Sequence, residues 1–249
     1  MSRRIFIGDI HGHYEGLMSL IESLALTDSD QVHFVGDLID RGPKSAQVVE
    51  FVRKHRFPCV LGNHEQLLIE AFPNGDTHMP AFQGWLYSGG QATLSSYDSV
   101  DYLFEHLAWI KTLPYYLDLG DIWLVHAGVN PNRSLSEQTP HEYCWIRESF
   151  HGCERPYFAD KLIVTGHTIT FTLPGVAPGQ VATGPGWLDI DTGAYHPKSG
   201  WLTAVDLDNE MIYQMNVYHH TLRMRALNDA VSAVEQRKLR RRTSYAMKP

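Results

Sequence analysis

The sequence predicts an α/β domain built around a parallel β-sheet. Two observations predict it. Over the first third of the chain, a short apolar strand, a polar motif and a helix follow one another three times, a pattern that yields parallel strands joined by right-handed crossovers. Each polar motif also falls just after its strand, at the carboxyl ends where open α/β sheets gather their ligands. A length of 249 residues suits one such domain and is short for two.

Residues 4–8 (RIFIG) read as the first strand and 14–25 as an amphipathic helix. A second strand at 32–36 (VHFVG) leads to a helix over 43–55, opened by Pro43, whose fixed φ suits a first helical position. A third strand at 58–62 (PCVLG) precedes a helix over 64–72. The stretch 73–112 breaks the pattern with PNGD, Gly89-Gly90 and a helical segment near its end, and reads as an inserted helical cap. Residues 115–126 alternate like a hairpin around Gly120-Asp121. Further strands are expected at 162–166, 187–191, 202–207 and 211–217. No internal repeat or low-complexity linker divides the chain, so 1–221 is expected to be one domain, followed by a basic tail over 222–249.

A hydrophobic fraction of 43% and a charged fraction of 20% describe an ordinary globular protein. No apolar run approaches the ~18 residues of a membrane span, and MSRRIFIGD passes from two arginines straight into a strand, unlike a leader peptide. A cytoplasmic location and no membrane partner are expected. Cys59, Cys144 and Cys153 are odd in number and lack a CxxC pattern, as reduced thiols would. The net charge of −7 is unevenly placed: residues 222–249 carry eight Lys/Arg against two acids, or +6, leaving −13 on residues 1–221. Such an acidic body argues against a nucleic-acid partner. The basic tail has a plain reading as a solvated helix end, and a sharper one as a docking or autoinhibitory segment drawn to the acidic body.

Three motifs carry the chemistry. In GD-x-HG, Asp9 and His11 lie two apart after a strand, and flanking glycines let the backbone turn so that both side chains aim at one point. A carboxylate with an imidazole suits Mn²⁺, Fe or Zn²⁺. In GD-x-x-DRG, Asp37 leaves its strand as Asp9 does and could bridge two cations, as binuclear hydrolytic sites require. Asp40 is then free for a supporting task, and Arg41 can grip phosphate through its planar fork. In GNHE, Asn63 offers an amide oxygen to a metal, and His64 reads as an acid paired with Asp40.

Together, in this order and spacing, these motifs resemble the phosphoprotein phosphatase family of metallophosphoesterases, in particular the bacterial type similar to the bacteriophage lambda phosphatase. Leu124-Val125-His126-Ala127-Gly128, Trp145-Ile146-Arg147-Glu148, Gly166-His167-Thr168 and Asp191-Thr192-Gly193 extend the resemblance over about residues 4–207. It implies a sandwich of two mixed β-sheets flanked by helices. It also implies two divalent cations, with Mn²⁺ the first choice. Asp9, His11 and Asp37 would hold one, and Asp37, Asn63, His126 and His167 the other. His64 with Asp40 would form the acid pair, and Arg41 with Arg147 would bind the phosphoryl oxygens. The remaining histidines are read as core or surface residues, with His196 left open because it follows DTGAY.

The expected reaction is attack on phosphorus by a hydroxide held between the two cations, with His64 protonating the leaving oxygen. The favoured substrate is a phosphorylated protein side chain, phosphoserine or phosphothreonine and also phosphotyrosine, or a related small phosphomonoester. The alternative is a symmetrical diadenosine tetraphosphatase, a group that resembles this chain but usually has Ala where Asp40 stands and Asp where Glu65 closes GNHE. Phe82, Trp85 and Tyr87 in the cap could stack on an adenine, although such spacing more often marks helix core. A catalytically dead binding module would show a lost ligand, and none is lost.

Overall fold

Alternation along the first strand sets the layering of the molecule. In the computed structural model, which describes residues 2–239, β1 (Arg4–Ile7) buries all but its first residue. Phe6 faces one hydrophobic cluster, while Ile5 and Ile7 face another, as the two-residue period of a strand requires. The first cluster lies between two β-sheets and the second beneath the helices.

The remaining elements follow in order: α1 (Tyr14–Leu24), β2 (Gln31–Phe34), α2 (Ser45–Lys54), α3 (Asn63–Ala71), α4 (Met79–Trp85), α5 (Gln91–Ser95) and α6 (Val100–Ile110). Next come β3 (Tyr116–Asp118), β4 (Ile122–Val125), α7 (Pro140–Trp145), α8 (Glu148–His151), β5 (Leu162–Thr165), β6 (Val181–Gly184) and β7 (Trp187–Asp189). The described chain ends with β8 (Trp201–Asp206), β9 (Met211–Asn216), β10 (Thr221–Ala226), α9 (Leu227–Ala230) and β11 (Val231–Ala233). One sheet has the order β10-β9-β8-β1-β2 and the other β11-β6-β7-β5-β4-β3. Both are mixed: β1 runs parallel to β2 and antiparallel to β8, while β4, β5 and β7 run parallel. The expected two-sheet α/β sandwich is therefore present, with an inter-sheet core of Phe6, Val205 and Ile212 against Leu124, Val164 and Leu188.

Three local expectations are corrected. The third strand at 58–62 shrinks to a single bridge between Phe34 and Cys59. Pro58 has no N–H to give, and the Leu61 N–H turns away to the Pro114 carbonyl at 2.8 Å. Pro43 does not open its helix, because Asp40 and Arg41 take left-handed backbone (φ 73° and 69°) and delay the helix to Ser45. The expected boundary after residue 221 falls inside paired structure: β10 pairs with β9 along its whole length, and β11 adds an edge to the second sheet. Arg223 and Arg225, counted above as tail charges, turn inward. Both donate to the Gly179 carbonyl at 3.0 Å, and the Arg223 guanidinium lies 3.7 Å over the Trp201 ring. The arginine triplet at 240–242 and the docking reading of the tail's end lie outside the described residues. No helix among those described is long and apolar enough to cross a membrane.

The expected cap is helical. α4 passes through one π-turn over Leu86–Gly90 into α5, and α6 packs behind. Gly89-Gly90 makes this turn possible. Gly89 has φ 117°, which favours glycine, and a Cβ on Gly90 would lie 2.4 Å from the Trp85 indole.

Candidate active site

Asp9 and His11 follow β1, Asp37 follows β2, His126 follows β4, His167 follows β5 and Asp191 follows β7. Five strands from two sheets thus deliver polar residues from their carboxyl ends to one place. All six side chains are buried. The backbone there is unusual: His11, Asp37 and His167 have φ of 47°, 49° and 68°. Strained backbone of this kind concentrates at functional sites.

Hydrogen bonds to carbonyl groups fix two of the imidazoles. His11 Nδ1 lies 3.0 Å from the Ile39 carbonyl oxygen and His126 Nδ1 lies 2.7 Å from that of Val35. A carbonyl only accepts, so each Nδ1 carries the proton and each Nε2 presents a lone pair. His126 Nε2 then faces Asn63 Oδ1 at 2.9 Å and Asp37 Oδ1 at 3.4 Å. Acceptor meets acceptor, with no proton to share. Asn63 Oδ1 also lies 2.7 Å from His167 Nδ1, while the buried His167 Nε2 has no partner. One set of His11, Asp37 and His64, and another of Asp37, His126 and His167, each converge to within 4.8 Å. Lone pairs that converge in this way, from imidazole nitrogens and carboxylate and amide oxygens, form a donor set that fits a divalent cation.

Burial makes the same point. It lowers the pKa of His11, His126 and His167, which favours the neutral imidazole, the form able to bind a cation. Burial, with the nearby Asp191 and Asp37 carboxylates, raises that of Asp9 well above the usual carboxylate range. Asp9 stands slightly apart from the two convergent sets, its oxygens accepting from the His167 N–H at 3.1 and 3.2 Å. Asp191 is pushed up to about 6, chiefly by burial.

Glu65 holds the second motif in place. From the first turn of α3 its carboxylate accepts the N–H groups of Asp37 (2.8 Å), Leu38 (2.8 Å), Ile39 (3.3 Å) and Gly62 (3.0 Å). The His64 N–H in turn donates to Asp37 Oδ1 at 3.0 Å. Burial, followed by the Asp37 charge, pushes the Glu65 carboxyl up to about 8, and its amide donors oppose that shift.

Beside the cluster, His64 Nδ1 lies 2.6 Å from Asp40 Oδ2, both groups being buried. Arg41 crosses the mouth: its Nη1 is 2.8 Å from His11 Nε2, and its guanidinium lies 3.9 Å over the Tyr195 ring. Arg147 enters from the other side, with Nη1 donating to the His167 carbonyl at 3.1 Å and to Thr168 Oγ1 at 3.2 Å. Asp37, Arg41, Asn63, His64, Arg147, His167 and Tyr195 are among the residues lining a cavity of about 100 Å³.

The structure thus gathers all ten residues named from the sequence, and shows others that sequence reasoning undervalued. In the sequence Glu65 marks only the choice of substrate class. Tyr195 lies at the site, whereas its neighbour His196 packs against Phe171 with ring centroids 5.0 Å apart. The DTGAY motif was the available signal for Tyr195. His151 had a plain reading, yet it is fully buried, with Nδ1 2.9 Å from the Arg147 carbonyl and Nε2 3.0 Å from Asp189 Oδ2. His151→Ala would strand the Asp189 carboxyl, so a loss of about 3 kcal/mol in unfolding free energy is expected. A urea midpoint equal to the parent's would refute it.

The profile of the calcineurin-like phosphoesterase family matches residues 2–189. Serine/threonine-protein phosphatase 2 of Escherichia coli (strain K12) is 40% identical over 209 residues, covering 79% of this chain and 89% of that protein. A symmetrical bis(5'-nucleosyl)-tetraphosphatase of Photobacterium profundum is 29% identical over 173 residues; the match covers 63% of this chain and 60% of that protein's length. Among solved structures, a protein serine/threonine phosphatase of Saccharomyces cerevisiae superposes with a TM-score of 0.57 at 14% identity, covering 90% of this chain and 79% of that one. That last likeness shows the fold alone.

Proposed function

We propose that this chain, which belongs to the calcineurin-like phosphoesterase family, is a phosphomonoesterase acting on phosphoserine and phosphothreonine in proteins, and on phosphotyrosine as well. The observation that carries the reading is the buried His64–Asp40 pair at 2.6 Å, set against a cavity of about 100 Å³ flanked by two arginines. The guanidinium groups of Arg41 and Arg147 line this cavity together with the His64 ring, a setting that suits a phosphoryl group. An alkoxide leaving group needs a proton far more than a nucleotide phosphate does, which gives the pair its purpose. The relative at 40% identity is named as a serine/threonine-protein phosphatase.

Asp9, His11 and Asp37 would hold one divalent cation, and Asp37, Asn63, His126 and His167 a second, with Asp37 shared. Mn²⁺ suits this mixture of oxygen and imidazole donors. When bound, such cations supply electrophilic polarisation of the ester and a more acidic water. The chain's own residues do the rest. Arg41 and Arg147 bind the phosphoryl oxygens through their guanidinium donors and offset charge as it develops. Asp40 holds the His64 Nδ1 proton, so that Nε2 is left to protonate the departing oxygen. Alignment of the attacking and leaving oxygens falls to the arginines on either side of the cavity. A phosphoprotein of the cytoplasm, the location expected from the sequence, is the substrate this reading assigns.

A second reading, hydrolysis of diadenosine tetraphosphate, is favoured by the relatives named as symmetrical bis(5'-nucleosyl)-tetraphosphatases. The cap does not serve it. Trp85 is fully buried and Phe82 packs on Phe72 and Trp85 at 5.6 and 5.9 Å, while Tyr87 stands 95% exposed, so the three form no common stacking face. The deciding experiment compares kcat/KM for a phosphoserine peptide and for diadenosine tetraphosphate with the Mn²⁺-loaded protein. Preference for the peptide is expected, and preference for the dinucleotide would overturn the assignment. Inactivity on both would point to a binding module.

A further inference from the structure

We infer that the cap insertion is a support for the proton donor, and that Thr93 and Trp85 are positioning residues that hold Asp40 so that it can orient His64. The inference rests on the acid role of His64 proposed above. The cap had two obvious duties, to cover the substrate or to stack on a base, and its contacts show neither. Instead two of its buried side-chain donors, Thr93 Oγ1 and Trp85 Nε1, go to one carboxylate.

Asp40 is fully buried, and three side-chain donors meet it. His64 Nδ1 approaches Oδ2 at 2.6 Å. Thr93 Oγ1 donates to Oδ1 at 2.6 Å, and Trp85 Nε1 lies 3.0 Å from both oxygens. Two of the three come from the cap, 45 and 53 residues along the chain from Asp40. Thr93 also accepts the Asp40 N–H at 2.8 Å, so its hydroxyl closes a ring with backbone and side chain of the same residue. That backbone is left-handed, at φ 73°, and needs such a hold. The next residue is gripped as well, the Arg41 N–H donating to the Gly89 carbonyl at 3.1 Å.

The chemistry follows from geometry. A carboxylate in a dry site must find its full set of donors, or it will turn to find them. With Thr93 and Trp85 in place, Oδ2 has one open direction, toward His64. The imidazole is then held with Nδ1 inward and Nε2 toward the cavity. Loss of either cap donor frees the carboxylate to rotate, and the proton donor loses its aim while the metal ligands keep their own carbonyl and amide contacts.

The test uses the full-length, Mn²⁺-loaded protein with a phosphoserine peptide and with p-nitrophenyl phosphate, whose leaving group needs little protonation. Thr93→Val keeps shape and removes the hydroxyl; Thr93→Ser keeps the hydroxyl. Thr93→Val is expected to lower kcat on the peptide by about tenfold and on the aryl ester by less than about threefold, with Thr93→Ser restoring most of the rate. Trp85→Phe is expected to show the same selectivity, and is a second, independent variant should either fold poorly. In a His64→Asn background the Thr93→Val change should cost less than about twofold more, since both act on one step. Equal losses on both substrates, or an undiminished loss in the His64→Asn background, would mean a merely structural role and overturn the inference. If His64→Asn itself shows no selectivity for the peptide, the acid assignment falls first. If it shows selectivity and Thr93→Val does not, only the positioning role falls.

Discussion

His64→Asn is expected to lower kcat on an alkyl phosphomonoester by roughly 10²–10⁴ while sparing most of the rate on an aryl ester. The argument is one of leaving groups. An alkoxide cannot depart from phosphorus without a proton. Among the described imidazoles near the cavity, His64 is the one whose Nδ1 is held by a carboxylate rather than by a carbonyl or amide oxygen. A phenolate with electron-withdrawing substituents departs unaided. Asn retains a polar side chain of similar reach but has no proton to give at neutral pH. Metal content should stay near that of the parent, because His64 donates to Asp37 through its backbone N–H, which Asn also has. Unchanged kcat on phosphoserine would sink the assignment.

The second large effect concerns stability. Glu65→Ala removes the acceptor of four amide N–H groups in a buried loop. An orphaned buried donor costs about 1–3 kcal/mol, so a loss of roughly 4–12 kcal/mol is expected for the four together. Against a typical total of about 5–15 kcal/mol, such a variant should be largely unfolded or nearly so. The measurement is urea unfolding in the presence of chelator, which removes the contribution of metal binding to the native state. A loss below about 2 kcal/mol would show that water satisfies the amides, and that Glu65 is a lesser support than its contacts imply.

Much of the site could be read from the chain, because a residue just past the end of a buried strand is held at the sheet's edge. Asp9, His11, Asp37, His126 and His167 all carry that signature. The bracing around them could not. Thr93 and Trp85 reach Asp40 across 53 and 45 residues, and no local pattern announces such a contact. Glu65 was visible as a letter in GNHE, but its grip on the loop at 37–39 depends on where α3 begins in space. The same limit hid β10: a strand reading Leu-Arg-Met-Arg-Ala looks like a charged tail until Arg223 and Arg225 are seen to turn inward toward Gly179 and Gln214. At 58–62 the error ran the other way, since an apolar composition promised a ladder that Pro58 and the diverted Leu61 amide cut short.

The central place of β1 has a consequence for the order in which the molecule can be made. β1 lies between β2 and β8, with Ile7 opposite Ala204. One of its two edges is therefore filled by residues synthesised about two hundred positions later. At translation speeds of about 5–20 residues per second, the first strand waits on the order of ten to forty seconds for its second neighbour. His167 and Asp191 arrive in the same late interval. Until then the nascent chain has the strand that carries Asp9 and His11 but no closed pocket around them, so most of the polypeptide must leave the ribosome before the chemistry can exist.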